Sequence, residues 1–401
     1  MPSDPPAPEH RPATAPETAG LPAPDAHERA LSERLSTVIR DEIARAGGTL
    51  PFARFMELAL YAPGLGYYSA GRQKFGAAGD FITAPEMGNL LARCLARNVA
   101  PVLRELPDGD LLEAGAGSGA LAADLLLALE ALEQLPRRYF ILEVSAELRT
   151  RQRATLAQRA AHLAGRMHWL DDLPPAFRGV VLGNELLDAM PVQRFRLANG
   201  ALRELQVAWD QGRFVWREAP AGAELETIAA QRIAPLALPD GYNSEVGLAA
   251  EGWVRTVAEH LMAGVLLLID YGFPRHEFYH AQRAHGTVMC HYRQRAHPDP
   301  LILVGLQDIT AHIDFTAVAE AAHGAGLDIL GYTGQGQFLV ASGIVELANV
   351  ADPRARLSLT QEIKKLTLPH EMGELFKVFA AGRGVDCVLP GFALDDRRGR
   401  L

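Results

Sequence analysis

Three polar residues follow an apolar segment in the stretch VVLGNELLDAMP, which runs from 180 to 191. Asn184 and Glu185 end the apolar run, and Asp188 comes three residues after Glu185. An amide and a carboxylate at the end of a strand can orient a nitrogen atom of a substrate toward a reacting group. We therefore predict that these three residues are catalytic. The alternative is that Glu185 and Asp188 begin a helix and interact favourably with its dipole.

Glycines cluster in the stretch LLEAGAGSGAL, where Gly115, Gly117 and Gly119 follow an apolar segment and precede a helical pattern. Glycine lets the backbone turn sharply and approach a ligand closely. The pattern predicts a cofactor site at a strand-to-helix turn, with Glu113 and Ala116 also in contact with the ligand.

Two cofactors are compatible with this turn. The spacing Gly115-x-Gly117-x-x-Ala120 satisfies the nicotinamide dinucleotide pattern, in which a pyrophosphate binds at the helix N-terminus. S-adenosylmethionine has no phosphate, and the glycines would instead leave room for its amino-acid and ribose groups. An acid before the first glycine, such as Glu113, is more typical of S-adenosylmethionine sites.

The next two apolar segments also end in residues that could bind a cofactor. Glu143 ends the segment ILEVS, and its carboxylate can accept hydrogen bonds from two ribose hydroxyls, as either cofactor requires. Val144 and Ser145 are predicted to contact the same ligand. Leu170 and Asp171, in HWLDDLP, occupy the position that contacts the adenine edge in a methyltransferase. A surface glutamate at a strand end is the alternative for Glu143.

These residues need a scaffold whose strands end at one edge. The segments DLLEAG, RYFILE, MHWL, RGVVLGN and GVLLLIDYG alternate with helical patterns, which predicts an α/β fold with a parallel sheet. Doubly wound sheets bind ligands outside the carboxyl ends of their strands, where the strand order reverses. The strand that ends at Gly115 and the strand that ends at Asn184 should therefore be neighbours.

The chain is predicted to contain four regions. They are a disordered Pro- and Ala-rich tail over 1–26, helices and a Gly-rich cover over 27–108, the cofactor-binding domain over 109–345, and a helical tail over 346–401. An alternating pattern over about 192–250, with turns at ANGA and DQGR, predicts inserted antiparallel hairpins. The segment 326–344 is predicted to form two closing strands.

The composition excludes several classes of protein. A net charge of −9 argues against nucleic-acid binding, which needs a basic surface. Cys94, Cys290 and Cys387 are widely separated, so neither a disulfide framework nor a zinc site is indicated, and a reducing, cytoplasmic location is expected. No apolar run reaches the length of a membrane-spanning helix, and the N-terminus lacks the apolar core of a secretory signal.

Longer motifs lie between about Phe52 and Val340. They are GYYS, FGAAGDFITAPEMG, LLEAGAGSGALAADLL, ILEVSAELR, GNELLDAMPV, IDYGF and GLQDITAHIDF. Together they resemble the MidA-type family, the group of a mitochondrial complex I assembly methyltransferase and its bacterial relatives. The resemblance implies a class I S-adenosylmethionine-dependent methyltransferase with a Rossmann-like sheet, which releases S-adenosylhomocysteine. It also implies a protein arginine as acceptor, in a core subunit of NADH–quinone oxidoreductase for the mitochondrial relative.

The resemblance also suggests roles for individual residues. The loop that contains Thr83, Pro85 and Glu86 is similar to the part of the family that covers the cofactor. Asn184 and Glu185 would contact the cofactor and face the reaction centre. Glu185 is the first candidate to bind and orient a guanidinium, because a carboxylate can pair with it through two hydrogen bonds.

Several alternatives remain open at this point. The acceptor could be a small molecule or another protein side chain, and the chain could instead be a non-catalytic assembly factor of a respiratory complex. A homodimer is compatible with the sequence. In GLQDITAHIDF, Asp308 could cap a helix or belong to the site, and His312 could be a core residue.

Overall fold

The computed structural model describes residues 20–70 and 84–401. The strands in these ranges are β1 Leu50–Pro51, β2 Asp110–Ala114, β3 Tyr139–Leu142, β4 Met167–Leu170, β5 Phe177–Asn184, β6 Gln193–Ala198, β7 Ala201–Asp210, β8 Arg213–Pro220, β9 Asn243–Val246, β10 Leu261–Phe273, β11 Met289–Tyr292, β12 Arg295–His297, β13 Asp308–Thr310, β14 Ile313–Asp314, β15 Asp328–Gly334 and β16 Phe376–Arg383. The α-helices are α1 Ala26–Arg45, α2 Phe52–Tyr61, α3 Ala84–Met87, α4 Leu90–Glu105, α5 Ala120–Ala131, α6 Ala146–Arg159, α7 Ala223–Ile228, α8 Leu248–His260, α9 Arg275–Phe278, α10 Phe315–Gly324, α11 Gln335–Ala341, α12 Ile344–Leu347 and α13 Pro353–Thr367. Among the described helices, none is long and apolar enough to cross a membrane.

The central sheet brings the carboxyl ends of its parallel strands to one edge. Its order is β15–β16–β10–β5–β2–β3–β4, and β14 also pairs with β10. The strands from β10 to β4 are parallel, whereas β16 is antiparallel to β10 and to β15. Ala114 of β2 lies opposite Gly183 of β5. The strand that leads into the Gly115 turn and the strand that ends at Asn184 are therefore neighbours where the strand order reverses, as predicted. The predicted α/β, Rossmann-like fold is confirmed.

Two apolar cores cover the two faces of this sheet. Leu111 and Val180 point into the core formed with α4 and α5, whereas Leu112 and Val181 point into the core formed with α8 and α10. Successive side chains of a strand point to opposite faces, so strands buried on both faces have continuous apolar sequences. This arrangement leaves the polar residues of these strands at the ends.

The segment inserted after β5 forms a second, antiparallel sheet. Its order is β1–β7–β6–β9, and β8 pairs with β7. The turns Asn199–Gly200 and Gln211–Gly212 have φ values of +52°, +74°, +46° and +81°, as two-residue hairpin loops require. The predicted hairpins are confirmed.

The N-terminal helices pack against the inserted sheet. α1 begins with a capping box, in which the amide of Glu28 donates to the Asp25 side chain and the amide of Asp25 donates to the Glu28 side chain, both at 2.8 Å. Phe52 and Phe55 of α2 are buried together with Val207 of β7. This packing brings the C-terminal end of α2 close to the central sheet.

The C-terminal part of the chain differs from its prediction. The prediction of two closing strands within 326–344 is wrong for the second strand. The strand β15 is followed by the helix α11, whose Phe338 and Leu339 are buried. The antiparallel neighbour is β16, which lies between β15 and β10. The prediction of a helical tail over 346–401 is therefore wrong where β16 forms, although α13 in the same range is helical. The run FKVFAAGR is buried along almost its whole length, so it lacks the alternation that identifies a strand.

Candidate functional site

A cavity of about 310 Å³ lies at the carboxyl ends of β2, β3 and β5, where the strand order reverses. This is the edge at which doubly wound sheets bind ligands. The described lining includes many residues that were predicted from the sequence to form the site: Pro85, Glu86, Glu113, Gly115, Ala116, Gly117, Glu143, Val144, Ser145, Asn184, Glu185 and Asp188.

The glycine turn joins β2 to α5 through backbone conformations that other residues rarely adopt. Gly115, Gly117 and Gly119 have φ values of +69°, +51° and +83°. Gly115 and Gly117 line the cavity. Gly119 lies outside the lining, where an added Cβ would be 3.0 Å from the Cα of Gln152. The first two glycines thus open the turn to a ligand, and the third lets α6 approach.

The carboxylate of Glu143 has a defined orientation after β3. Its Oε1 accepts a hydrogen bond from the Ser145 amide at 2.8 Å, and its Oε2 accepts one from Gln152 Nε2 at 3.1 Å. The Ser145 hydroxyl in turn caps α6 by accepting from the Leu148 amide. Beside it, the apolar residue Val144 is 79% exposed on the cavity lining. A carboxylate next to an apolar surface suits a ligand that carries hydroxyls next to an aromatic ring.

Two further acids of the lining bind hydroxyl groups. Glu113 is buried, and its Oε2 accepts a hydrogen bond from the Tyr139 hydroxyl at 2.7 Å. Burial raises the pKa of Glu113 to about 7. Glu86 of α3 accepts a hydrogen bond from Ser118, so the N-terminal region contacts the glycine turn.

Asn184 and Glu185 form a linked pair at the end of β5. Asn184 Nδ2 donates to Glu185 Oε1 at 3.1 Å, and the Tyr271 hydroxyl donates to Glu185 Oε2 at 3.4 Å. Glu185 has a φ of +50°, a conformation that is strained for a residue other than glycine and is common at functional sites. Burial raises the pKa of Glu185 to about 7, and the charge of Asp270 contributes to the rise.

Asp270 of β10 holds the turn that follows Glu185. Its Oδ2 accepts hydrogen bonds from the amides of Leu186, Leu187 and Asp188 at 3.1, 2.8 and 3.3 Å. Residues 185–190 form a turn rather than a helix, so the helix-start alternative is wrong. Asp188 is buried, and its Oδ1 has no hydrogen-bond partner among residues 20–70 and 84–401. Burial, followed by the charge of Asp270, raises the pKa of Asp188.

Residues from distant parts of the chain complete the cavity wall. Tyr61 and Tyr68 stack with ring centroids 5.5 Å apart and an angle of 19° between the rings. The Tyr68 hydroxyl donates to Asp308 Oδ1, and the Tyr61 hydroxyl donates to the Ala189 carbonyl, both at 2.9 Å. Asp308 lies in β13, and the cap of α10 is Asp314, so the capping alternative for Asp308 is wrong. Neither tyrosine was predicted to belong to the site, although the motif GYYS contains Tyr68.

Some predicted residues do not reach the cavity. Leu170 and Asp171 lie at the end of β4 outside the lining, and the exposed Asp171 side chain pairs with Arg149 at 2.6 Å. Thr83 lies outside the described residues. His312 is stacked on Tyr271 with ring centroids 6.0 Å apart and does not line the cavity. In the part of the chain that the structure describes, no group of three or more His, Cys, Asp or Glu residues is placed to hold a metal ion.

The cavity wall is acidic. Its described lining contains neither lysine nor arginine but six carboxylates, those of Glu86, Glu113, Glu143, Glu185, Asp188 and Asp308. Four of them, Glu113, Glu143, Asp188 and Asp308, are buried, and Glu86 and Glu185 are half-buried. Carboxylates that face one cavity favour positively charged ligands, because a cation offsets both their repulsion and their desolvation.

The parallel sheet, the glycine turn after β2, the acid after β3 and the polar turn after β5 together define a class I methyltransferase. Residues 90–333 match the family of S-adenosyl-L-methionine-dependent methyltransferases. The match covers more than half of the chain, and this protein belongs to that family.

Relatives agree with this assignment. A crystal structure of a Burkholderia thailandensis protein bound to S-adenosyl-homocysteine is 48% identical in sequence, covers 95% of this chain and 100% of its own, and superposes with a TM-score of 0.91. The mitochondrial protein arginine methyltransferase NDUFAF7 homolog of Drosophila melanogaster is 28% identical over 90% of this chain and 88% of that protein. Human mitochondrial NDUFAF7, also named a protein arginine methyltransferase, is 28% identical over 84% of this chain and 80% of that protein. The cofactor is S-adenosylmethionine, and the nicotinamide alternative is wrong.

Proposed function

We propose that this methyltransferase transfers methyl groups to an arginine side chain of a protein. The observation that carries the proposal is the cavity wall, which has six carboxylates and neither lysine nor arginine among its described residues. A guanidinium is planar, stays charged and pairs with a carboxylate through two parallel hydrogen bonds. The names of the mitochondrial relatives support the same acceptor.

We assign one part of the cavity to the cofactor, which supplies an electrophilic methyl group on a sulfonium. In this assignment Gly115 and Gly117 leave room for the ligand, Glu143 accepts hydrogen bonds from the ribose, and the exposed Val144 covers the adenine. The open turn, the oriented carboxylate and the exposed apolar surface support the fit. The other predicted contacts on the lining remain predictions: Pro85, Glu86, Glu113, Ala116, Ser145, Asn184 and Glu185.

We assign the part of the cavity beside Tyr61, Tyr68, Asp188 and Asp308 to the acceptor. Asp188 Oδ1 is buried without a hydrogen-bond partner in the described part of the chain, and a guanidinium offers several N–H donors. The stacked tyrosines provide an aromatic surface for a planar cation. The hydrogen bond from Tyr68 to Asp308 orients that carboxylate.

Glu185 is proposed to bind the guanidinium and to orient one nitrogen toward the methyl carbon, while Asn184 orients the Glu185 carboxylate. The nitrogen–carbon bond forms as the carbon–sulfur bond breaks, and the electron pair of the broken bond stays on sulfur, which yields S-adenosylhomocysteine. The methylated nitrogen loses one proton. Glu185 or Asp188 can accept it, because burial raises the pKa of both carboxyl groups and makes them stronger bases.

The proposed protein substrate is a core subunit of NADH–quinone oxidoreductase, and the motif resemblance supports this choice. A role in complex I assembly follows from the same proposal. A cytoplasmic location and a homodimer remain predictions. We expect no nucleic-acid partner, because the net charge is −9.

Mass spectrometry of that subunit tests the proposal, in cells with the gene, cells without it, and cells that carry the Glu185→Gln variant. We expect methylarginine only in cells with the wild-type gene. A subunit without methylarginine in every strain, or a gene-dependent methyl group on another residue type, would contradict the proposal. Normal complex assembly with the inactive variant would instead favour a non-catalytic assembly factor.

A further inference from the structure

A buried amide connects three parts of the cofactor side of the site without lining the cavity. Gln152 of α6 is fully buried. Its Nε2 donates to the Gly117 carbonyl and to Glu143 Oε2, both at 3.1 Å. Its Oε1 accepts a hydrogen bond from the Trp169 indole at 2.9 Å. A side-chain amide has two N–H donors, so Gln152 uses both of them on the two neighbouring groups.

We propose that Gln152 is a positioning residue that sets the affinity for the cofactor. The Ser145 amide orients one oxygen of Glu143, and Gln152 orients the other. The same amide group fixes the carbonyl of Gly117, so the glycine turn and the carboxylate are held relative to each other. A ligand that contacts both then meets a preorganised surface, and binding loses less free energy to ordering.

The packing around α6 supports this role. An added Cβ on Gly119 would lie 3.0 Å from the Cα of Gln152, so the third glycine of the turn permits the close approach. One turn further along α6, the Thr155 hydroxyl donates to the Ser118 carbonyl at 2.8 Å. Helix α6 therefore binds two successive carbonyls of the glycine turn, through Gln152 and Thr155. Of these two side chains, only that of Gln152 also contacts Glu143.

The experiment compares Gln152→Met with Gln335→Met, because Gln335 is also fully buried and donates its Nε2 to a carbonyl, that of Leu366, at 3.0 Å. Gln335 lies outside the described cavity lining. Calorimetric titration with S-adenosylhomocysteine should show binding about tenfold or more weaker for Gln152→Met, since Glu143 and the glycine turn are no longer held in place before the ligand binds. Gln335→Met should bind like the wild type, although thermal unfolding should show that both variants are less stable.

A second variant separates positioning from packing. Gln152→Glu keeps the volume and the Trp169 hydrogen bond, but it places a carboxylate against Glu143. At pH 8 we expect S-adenosylhomocysteine to bind more weakly to Gln152→Glu than to Gln152→Met. The affinity of Gln152→Glu should rise as the pH falls and one of the two carboxyl groups is protonated. A merely structural role would give no such pH dependence.

The inference rests on the proposed role of Glu143 and not on the identity of the acceptor. Equal affinity of the wild type and Gln152→Met would overturn it, as would an equal loss in Gln152→Met and Gln335→Met. If Gln152→Met fails to fold, the pH dependence of Gln152→Glu decides. Normal S-adenosylhomocysteine binding together with no methylarginine in cells would contradict the proposed function and leave this inference intact.

Discussion

Glu185 and Asp270 lie next to each other where the pairing of β5 with β10 ends, immediately after the registered pair Asn184 and Ile269. Asp270 directs its carboxylate to backbone amides of the turn after β5. Glu185 instead contacts the side chains of Asn184 and Tyr271 at the cavity. One carboxylate therefore shapes the turn, while the other lies on the cavity wall, and burial raises the pKa of both to about 7.

The first prediction concerns Glu185→Gln. The amide keeps the volume of the side chain but cannot pair with a guanidinium as a charged partner or accept its proton. We expect S-adenosylhomocysteine affinity within about threefold of the wild type, since glutamine keeps the size of the side chain and an oxygen that can accept a hydrogen bond from the cofactor. Methyl transfer to the substrate subunit should fall by about 100-fold or more. Unchanged transfer would contradict the role, and Glu259→Gln, an exposed glutamate of α8, is the control.

The second prediction is the pH dependence of the same step. The pKa of Glu185 is raised to about 7, and we propose that its ionised form is the active one. The rate of methyl transfer should therefore rise as the pH increases from 6 to 8 and level off above the pKa. Glu113→Gln should keep this rise, although the pKa of Glu113 is also about 7, because Glu113 is not proposed to act on the acceptor. A rate that is flat over this range, with substrate and cofactor saturating, would argue against Glu185.

The sheet and the cofactor side of the site could be predicted from the sequence because their signals are local. A strand, a glycine turn and a helix follow each other within a few residues, and the alternation with helices implies a parallel sheet. The positions of Glu143 and Asn184 at the same edge follow from that topology. Gln152 gave no such signal, since it lies inside a helix and its role depends on tertiary contacts with Gly117 and Glu143.

The acceptor side could not be predicted in the same way. Tyr68 and Asp308 are separated by 240 residues, and the packing of α2 together with β13 in one apolar core brings them together. The strand β16 was missed because its buried sequence has no alternation and because it pairs antiparallel to strands far away along the chain. Local patterns carry no information about such long-range pairs.

The third prediction compares two acids on the cofactor side. Glu143→Gln should weaken S-adenosylhomocysteine binding by about tenfold or more, because hydrogen bonds from the ribose to a charged acceptor are lost. Asp171→Asn should leave the affinity unchanged, since its side chain is exposed and lies outside the described lining. Calorimetric titration measures both. A larger loss for Asp171→Asn than for Glu143→Gln would restore the sequence-based assignment of Asp171 and contradict ours.

The fourth prediction tests the acceptor assignment with Asp308→Asn and Tyr68→Phe. Asp308→Asn removes a charge that would face the guanidinium, so the KM for the protein substrate should rise by about tenfold or more. Tyr68→Phe removes only the hydrogen bond at 2.9 Å that orients this carboxylate, so its effect should be smaller. Both variants should bind S-adenosylhomocysteine like the wild type. Weaker cofactor binding with an unchanged KM for the substrate would place both residues on the cofactor side instead.

The fifth prediction concerns stability. Burial raises the pKa of Glu113 from 4.5 to about 7, so between these pH values the folded protein binds more protons at this group than the unfolded chain does. The resulting stabilisation is fully present below about pH 4.5 and is lost as the pH rises through 7. In Glu113→Gln the side chain at this position is neutral at every pH, so the variant has no such pH-dependent stabilisation to lose. Between pH 5 and pH 8 the free energy of unfolding should therefore fall less in the variant than in the wild type. The two decreases should differ by on the order of 1 to 3 kcal/mol.

Urea unfolding at the two pH values measures this difference, and the contributions of Glu185 and Asp270 cancel because both proteins contain them. Tyr139→Phe is a control in which the pH dependence should change in the opposite direction. It removes the 2.7 Å hydrogen bond that stabilises the charged form of Glu113. Without that bond the pKa of Glu113 should rise further, and the loss of stability with increasing pH should become larger than in the wild type. Identical pH dependence in all three proteins would mean that Glu113 ionises in the folded state as easily as it does in the unfolded chain.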